Sequence, residues 1–124
     1  QYALSYPERW PTSGARLDMT RLGGLQFEEP DAQRFPCLGL ALEAARRGGT
    51  SCVALNGAND AAVQAYLAGQ IAFGQISRVI HDVLERHTPI PHPTLDDVLA
   101  VDQWSRRLAQ DLLSQPTHRL VQVS

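Results

Sequence analysis

The sequence contains no lysine; all 11 residues of its Lys+Arg total are arginine. That absence excludes Schiff-base chemistry, a phosphate-loop lysine and a lysine general base. Cysteine is nearly as scarce. Cys37 and Cys52 lie in apolar helical patterns, with no CxxC and no His-Cys cluster. Both are expected as small buried hydrophobes in a reducing compartment, a disulfide being the alternative. There is no excess of positive charge: the net charge is −2, so no basic field exists to hold nucleic acid or an anionic membrane. No apolar run approaches the roughly 20 residues needed to span a bilayer, and no signal-peptide pattern is visible. An initiator methionine is also absent, since the chain begins at Gln1, and a fragment or processed product of a longer protein is the expectation.

What is present suits one folded domain. The 124 residues are 44% hydrophobic and 19% charged, a globular rather than a disordered composition. Residues 1–34 carry Pro7, Pro11, Gly14, Gly23, Gly24 and Pro30, too many breakers for a long helix. Leu17, Met19, Leu25 and Phe27 alternate with polar residues around Gly23-Gly24, which is the period of a half-buried strand. An extended arm with short strands is expected, needing something to lie against because an isolated hairpin is barely stable in water.

From Pro36 the period becomes helical. Pro36 suits a first turn and Gly48-Gly49 a left-handed stop, with Leu38, Leu42 and Ala45 on one face. A second helix starts at Thr50 or Ser51 and ends by Gly69, its stripe running Cys52, Leu55, Ala58, Ala62, Val63, Tyr66 and Leu67. A third, about residues 75–87, shows Ile76, Val79, Ile80, Val83 and Leu84 at helical spacing. The three prolines of Thr88–Pro93 force an extended link. Thr94 then caps a fourth helix, with Asp96 and Asp97 set against its dipole. Its face is Leu95, Val98, Val101, Leu108 and Leu112, with Trp104 beside it. The fold expected is mainly α: an antiparallel four-helix bundle over residues 35–114, preceded by the 1–34 arm and followed by a flexible tail, 115–124.

Few residues offer chemistry. His81 and His87 are six apart, about 240° around a helix at 100° per residue, and His92 sits among prolines, so surface histidines are expected rather than metal ligands. Asp96 and Asp97 are explained by capping, and Asp102 has no obvious partner. Nothing resembles a nucleophile elbow, and Gly23-Gly24 lacks dinucleotide-loop spacing. Asn56, Asn59 and Asp60 at i, i+3 and i+4 project together from the second helix. With no base, nucleophile or cation converging on them, they are expected to form a structural hydrogen-bond network rather than a ligand site.

Five collinear blocks carry a resemblance. Gln1-Tyr2-Ala3-Leu4-Ser5-Tyr6-Pro7-Glu8-Arg9 opens it, and Leu17-Asp18 with Leu25 and Phe27 follows. Next come the stretch from Arg34-Phe35-Pro36 to Ala44, then Ala54-Leu55-Asn56-Gly57-Ala58-Asn59-Asp60 with Ala65 to Phe73, and Asp96 to Asp102. Together these resemble, in order, the end of the catalytic domain, the linker and the C-terminal region of the 1-deoxy-D-xylulose 5-phosphate reductoisomerase family. The resemblance implies a parent enzyme that uses NADPH and Mn²⁺ or Mg²⁺. It would convert 1-deoxy-D-xylulose 5-phosphate to 2-C-methyl-D-erythritol 4-phosphate in the non-mevalonate isoprenoid pathway. It also implies a cytoplasmic homodimer in which this helical domain props its own catalytic domain. The family's cofactor, metal and phosphate contacts lie before the matched blocks, so no catalytic, cofactor or metal residue carries onto this chain, which alone is expected to be inactive and to bind none of these. The chain departs from the family at Gly57, where alanine is usual, and at Asp60, where glutamate is usual.

Two other readings compete: a free-standing helical interaction module, and a small hydrolase or metal enzyme, which the scattered histidines disfavour. The arm, lacking its native sheet, is expected to pair with a second copy or stay disordered. If the Asn56-Asn59-Asp60 network is structural, Asn59→Ala in a full-length parent lowers stability without altering turnover of the surviving enzyme. A fall in turnover with unchanged thermal stability would contradict it.

Overall fold

A computed structural model of the chain describes residues 1–115, whose regular elements are all helices joined by turns and extended segments. One helical turn, α1 (Tyr2–Ser5), and a short 3-10 turn at Met19–Arg21 are the regular pieces of the arm. Four longer helices follow: α2 (Pro36–Arg47), α3 (Ser51–Leu67), α4 (Gln75–Glu85) and α5 (Leu95–Ser114). The expected flexible tail lies, from residue 116 on, outside the described residues.

Helix ends fall where local chemistry puts them. Pro36 opens α2, and Gly48 and Gly49, at φ +70° and +53°, turn the chain out of it. Those angles are costly for residues with a Cβ. Gly69, at φ +70°, does the same after α3. Thr94 caps α5 in a reciprocal box: its hydroxyl accepts from the Asp97 amide, and its own amide donates to the Asp97 carboxylate at 2.9 Å. The Thr94 hydroxyl also donates to that carboxylate, and these bonds hold Asp97 below the usual carboxylate range.

Packing is organised around α3 and α4, which meet each other and both flanking helices; α2 and α5 do not meet. The stripe of α4 is as its period predicts, with Ile76, Val79, Ile80, Val83 and Leu84 all buried. Each such aliphatic side chain contributes roughly 1.5–3 kcal/mol. On α3 the expected stripe is rotated. Cys52, Tyr66 and Leu67 are exposed, and the buried line is Ala54, Ala58, Ala62 and Ala65. The expectation followed residue size, but the neighbouring helices come close, and only methyl-sized side chains fit between the backbones. Two further corrections share that cause. The large α2 residues Leu38 and Leu42 remain exposed, while Ala44 is buried; Leu95 of α5 is exposed, and Ser105 and Ala109 join the expected Leu112 in the core. Both cysteines are exposed and free, not buried.

The arm is also corrected. No strand forms among the described residues: Met19 is drawn into the 3-10 turn by Asp18, whose carboxylate accepts from the Thr20 amide and hydroxyl. Gly23, at φ +69°, then breaks the extended path. Alternation makes a strand only where a neighbouring strand receives its backbone groups, and the arm has none beside it.

The closest helix approach is at Gly57. A Cβ there would run into the Ser105 hydroxyl of α5 and come within 3.1 Å of the Asp102 carbonyl. Gly57→Ala gains about 1 kcal/mol of helix propensity but overpacks this crossing at a cost of about 1–3 kcal/mol, so net destabilisation is expected. Adding Ser105→Ala should recover part of the loss. Chemical denaturation of the two variants checks this; a Gly57→Ala chain as stable as the parent would show that the crossing has slack.

Candidate functional site

The structure sends the predicted polar cluster in three directions. Asp60 projects from α3 to α5, where its carboxylate accepts from Arg106 Nη2 at 2.8 Å. Arg106 Nε donates to Asp102 one turn earlier on its own helix, at 2.9 Å. Asn59 lines a groove on another side of α3, and Asn56 is exposed. A cation therefore does reach the cluster, and Asp102 does have a partner, both contrary to expectation. The i, i+4 spacing of Asp102 and Arg106 was the available signal; that the same guanidinium also bridges to α3 is a tertiary fact. Two carboxylates against one guanidinium hold Arg106 charged well above its ordinary range. The ions are partly exposed, the Arg106 side chain by 38%, so solvent screens much of their attraction.

Two of the histidines lie on the surface. His81 is exposed on α4 with its ring 3.4 Å from the adjacent Asp82 carboxylate, and His92 is exposed on the link. No three His, Cys, Asp or Glu side chains among the described residues converge on a point that could hold a metal ion. Nor does any glycine-rich turn lead into one of the helices with dinucleotide-loop spacing. Among the described residues the donor set does not suit a divalent metal or a nicotinamide dinucleotide.

His87 is different, and its role was not anticipated. Just past α4, its Nε2 lies 2.9 Å from the hydroxyl of Thr50, a fully buried residue at the start of α3. That hydroxyl accepts from the Ile90 amide at 3.0 Å, and the Thr50 amide donates to the Ile90 carbonyl at 3.2 Å. Gly49 presses so near that a Cβ would strike the Ile90 carbonyl. The His87 ring also lies 5.5 Å from that of Trp104 on α5. Burial first, then the positive charge of Arg47, push His87 below its ordinary value, with a hydrogen bond to the Thr50 backbone opposing them.

Two surface features complete the molecule. A groove of about 950 Å³ lies between the arm's end, α2, α3 and α4, lined among others by Arg34, Phe35, Leu40, Asn59, Phe73 and His81. Its charged groups have both signs, with Arg34 and Arg78 facing Glu43 and Asp82. The second is apolar surface left uncovered: every residue of 1–34 except Ser5 is exposed, with Leu4 and Phe27 at 88%, and Phe35, Leu38 and Leu42 continue the exposure onto α2.

Comparison with known proteins gives a consistent answer. Residues 1–108 match the family described as DXP reductoisomerase C-terminal domain. Among curated proteins, the 1-deoxy-D-xylulose 5-phosphate reductoisomerase of Moorella thermoacetica is 50% identical over 109 residues, covering 88% of this chain and 28% of that protein. That of Thermosynechococcus vestitus is 45% identical over 122 residues, covering 97% and 30%. Among solved structures, the reductoisomerase of Zymomonas mobilis in complex with NADPH superposes with a TM-score of 0.83 at 37% identity, over 92% of this chain and 30% of that one. A DOX-P reductoisomerase in complex with NADPH, fosmidomycin and magnesium gives 0.77 at 35% identity, over 90% and 30%. The chain thus spans less than a third of the relatives it matches.

Arg106→Met is expected to lower stability by about 0.2–1 kcal/mol, as for exposed ion pairs, and the loss should shrink as salt rises. Urea denaturation at low and high ionic strength measures it. A loss of several kcal/mol that salt does not change would mean the Asp60–Arg106–Asp102 bridge is effectively buried.

Proposed function

The chain belongs to the DXP reductoisomerase C-terminal domain family, and from that premise we propose that it serves as the structural helical domain of a full-length reductoisomerase. In this reading the parent converts 1-deoxy-D-xylulose 5-phosphate to 2-C-methyl-D-erythritol 4-phosphate in isoprenoid biosynthesis. It uses NADPH and Mn²⁺ or Mg²⁺, and the hydride and the metal act outside this chain. NADPH and magnesium in complexes of structural relatives support the cofactors.

The observation that carries the reading is the uncovered apolar surface. Leu17, Met19, Leu25 and Phe27 of the arm are each more than 60% exposed, and Phe35, Leu38 and Leu42 extend the same character onto α2. Large apolar side chains left exposed in this number are read as a surface made to be covered, and the helical period of α2 is that of a face with a partner. In the parent, the catalytic domain is the proposed cover. The four long helices are read as an antiparallel bundle joined by short links, with the Asn56-Asn59-Asp60 region as a structural element of it. The remaining parts of the reading are a homodimeric parent, a cytoplasmic location, and no nucleic-acid or membrane partner.

The test pairs this chain with its full-length parent, following NADPH oxidation with 1-deoxy-D-xylulose 5-phosphate and Mn²⁺. Turnover in the parent and none in the chain is expected. Trypsin should also cut at Arg16 and Arg21 readily in the isolated chain and slowly in the parent. Turnover by the chain alone would refute the supporting role. Equal cleavage rates would show that the arm has no cover, and a folded but inactive parent would favour an interaction module.

A further inference from the structure

We infer that His87 is a proton-operated latch: neutral, it holds the proline-rich link 88–94 against the start of α3, and protonated, it lets the link go. The inference stands apart from the reductoisomerase reading and rests on the junction of Thr50, His87, Ile90 and Trp104.

Hydrogen-bond bookkeeping at Thr50 sets the protonation state. Its hydroxyl oxygen already accepts from the Ile90 amide. The hydroxyl proton is then directed to His87 Nε2, at 2.9 Å, which must present a lone pair. The imidazole is therefore neutral, with its proton on Nδ1. Adding a proton at Nε2 turns that nitrogen into a donor. The Thr50 oxygen has a second lone pair for that donor, but its own proton loses its acceptor. Thr50 is fully buried and its side chain makes no other hydrogen bond among the described residues, so water does not take the proton readily. An unpaired buried hydroxyl is costly. The strain is relieved by moving the link away, which also parts the Thr50 amide from the Ile90 carbonyl.

The surroundings of the ring reinforce this. From α2, the Arg47 guanidinium acts on it with like charge. Arg47 is itself paired with Glu43 and lies 3.9 Å from Glu85. At the start of α3 the ring meets the Thr50 hydroxyl and the Thr50 backbone, the latter favouring the protonated ring against burial and Arg47. From α5 it meets the uncharged indole of Trp104, and on its own segment its neighbours are Glu85 and Arg86. No carboxylate is bonded to the ring among the described residues. Because the folded group sits below its unfolded value near 6.5, its contribution to stability is complete above that value and is lost as pH falls through the folded one.

The experiment is an NMR titration of the 124-residue chain from neutral to mildly acidic pH, recording the His87 ring and the Thr50 and Ile90 amides. His87 should titrate below the ordinary histidine range. Exchange protection of the two amides, corrected for intrinsic rate, should fall through the same midpoint by up to about tenfold per pH unit. His87→Gln should flatten that dependence, and His81→Gln, on the exposed face of α4, should retain it. Constant Ile90 protection while His87 titrates, or an unchanged dependence in His87→Gln, would overturn the latch. Should His87→Gln not fold, the wild-type titration decides alone.

Discussion

The fold depends on how closely three helices can approach α3. Its buried line is four alanines, with Gly57 beside them at the crossing with α5. A methyl-sized ridge brings the neighbouring backbones near, so the large aliphatic side chains of α4 reach across it to Ala109 and Leu112 of α5. The bulk of the core comes from α4 and the shape from α3. This division explains why α3 turns its own larger residues, Tyr66 and Leu67, outward. It also explains why polar ties gather at the ends and edges of α3: Thr50 at its start and Asp60 along its side toward α5.

Those ties differ in physical character. The Asp60–Arg106–Asp102 bridge is strong in geometry but open to solvent, so it aligns α3 with α5 more than it stabilises them. The Thr50–His87–Ile90 junction is small and partly buried, and its bonds meet at the fully buried Thr50 hydroxyl. The second kind costs more to disturb per bond. It joins segments 37 and 40 residues apart, holding the link between α4 and α5 onto the turn between α2 and α3.

The helical unit is well packed among its long helices and carries an arm whose apolar side chains are exposed. Burial is ample among α3, α4 and α5, and nearly absent over residues 1–34. The chain spans less than a third of the relatives it matches, and the proposed catalytic-domain cover would fall on this exposed side. The arm's alternating residues are spaced for a surface that these residues do not supply.

Much of this was readable from local chemistry. Pro36, the glycines at 48, 49 and 69, and the Thr94–Asp97 box set the helix ends, because capping and left-handed turns involve only adjacent residues. The five-residue stripe of α4 was legible because large aliphatic residues at helical spacing have one place to go. The ordered blocks around Asn56-Gly57-Ala58-Asn59-Asp60 were enough to place the family. What needed the tertiary structure were the choices made between segments: which face of α3 turns inward, what Arg106 bridges, and where the hydroxyl of Thr50 finds its partners. Alanine is compatible with either face of a helix, and the spacing of backbones decides between them. A histidine 37 residues from a threonine carries no local sign that the two will meet.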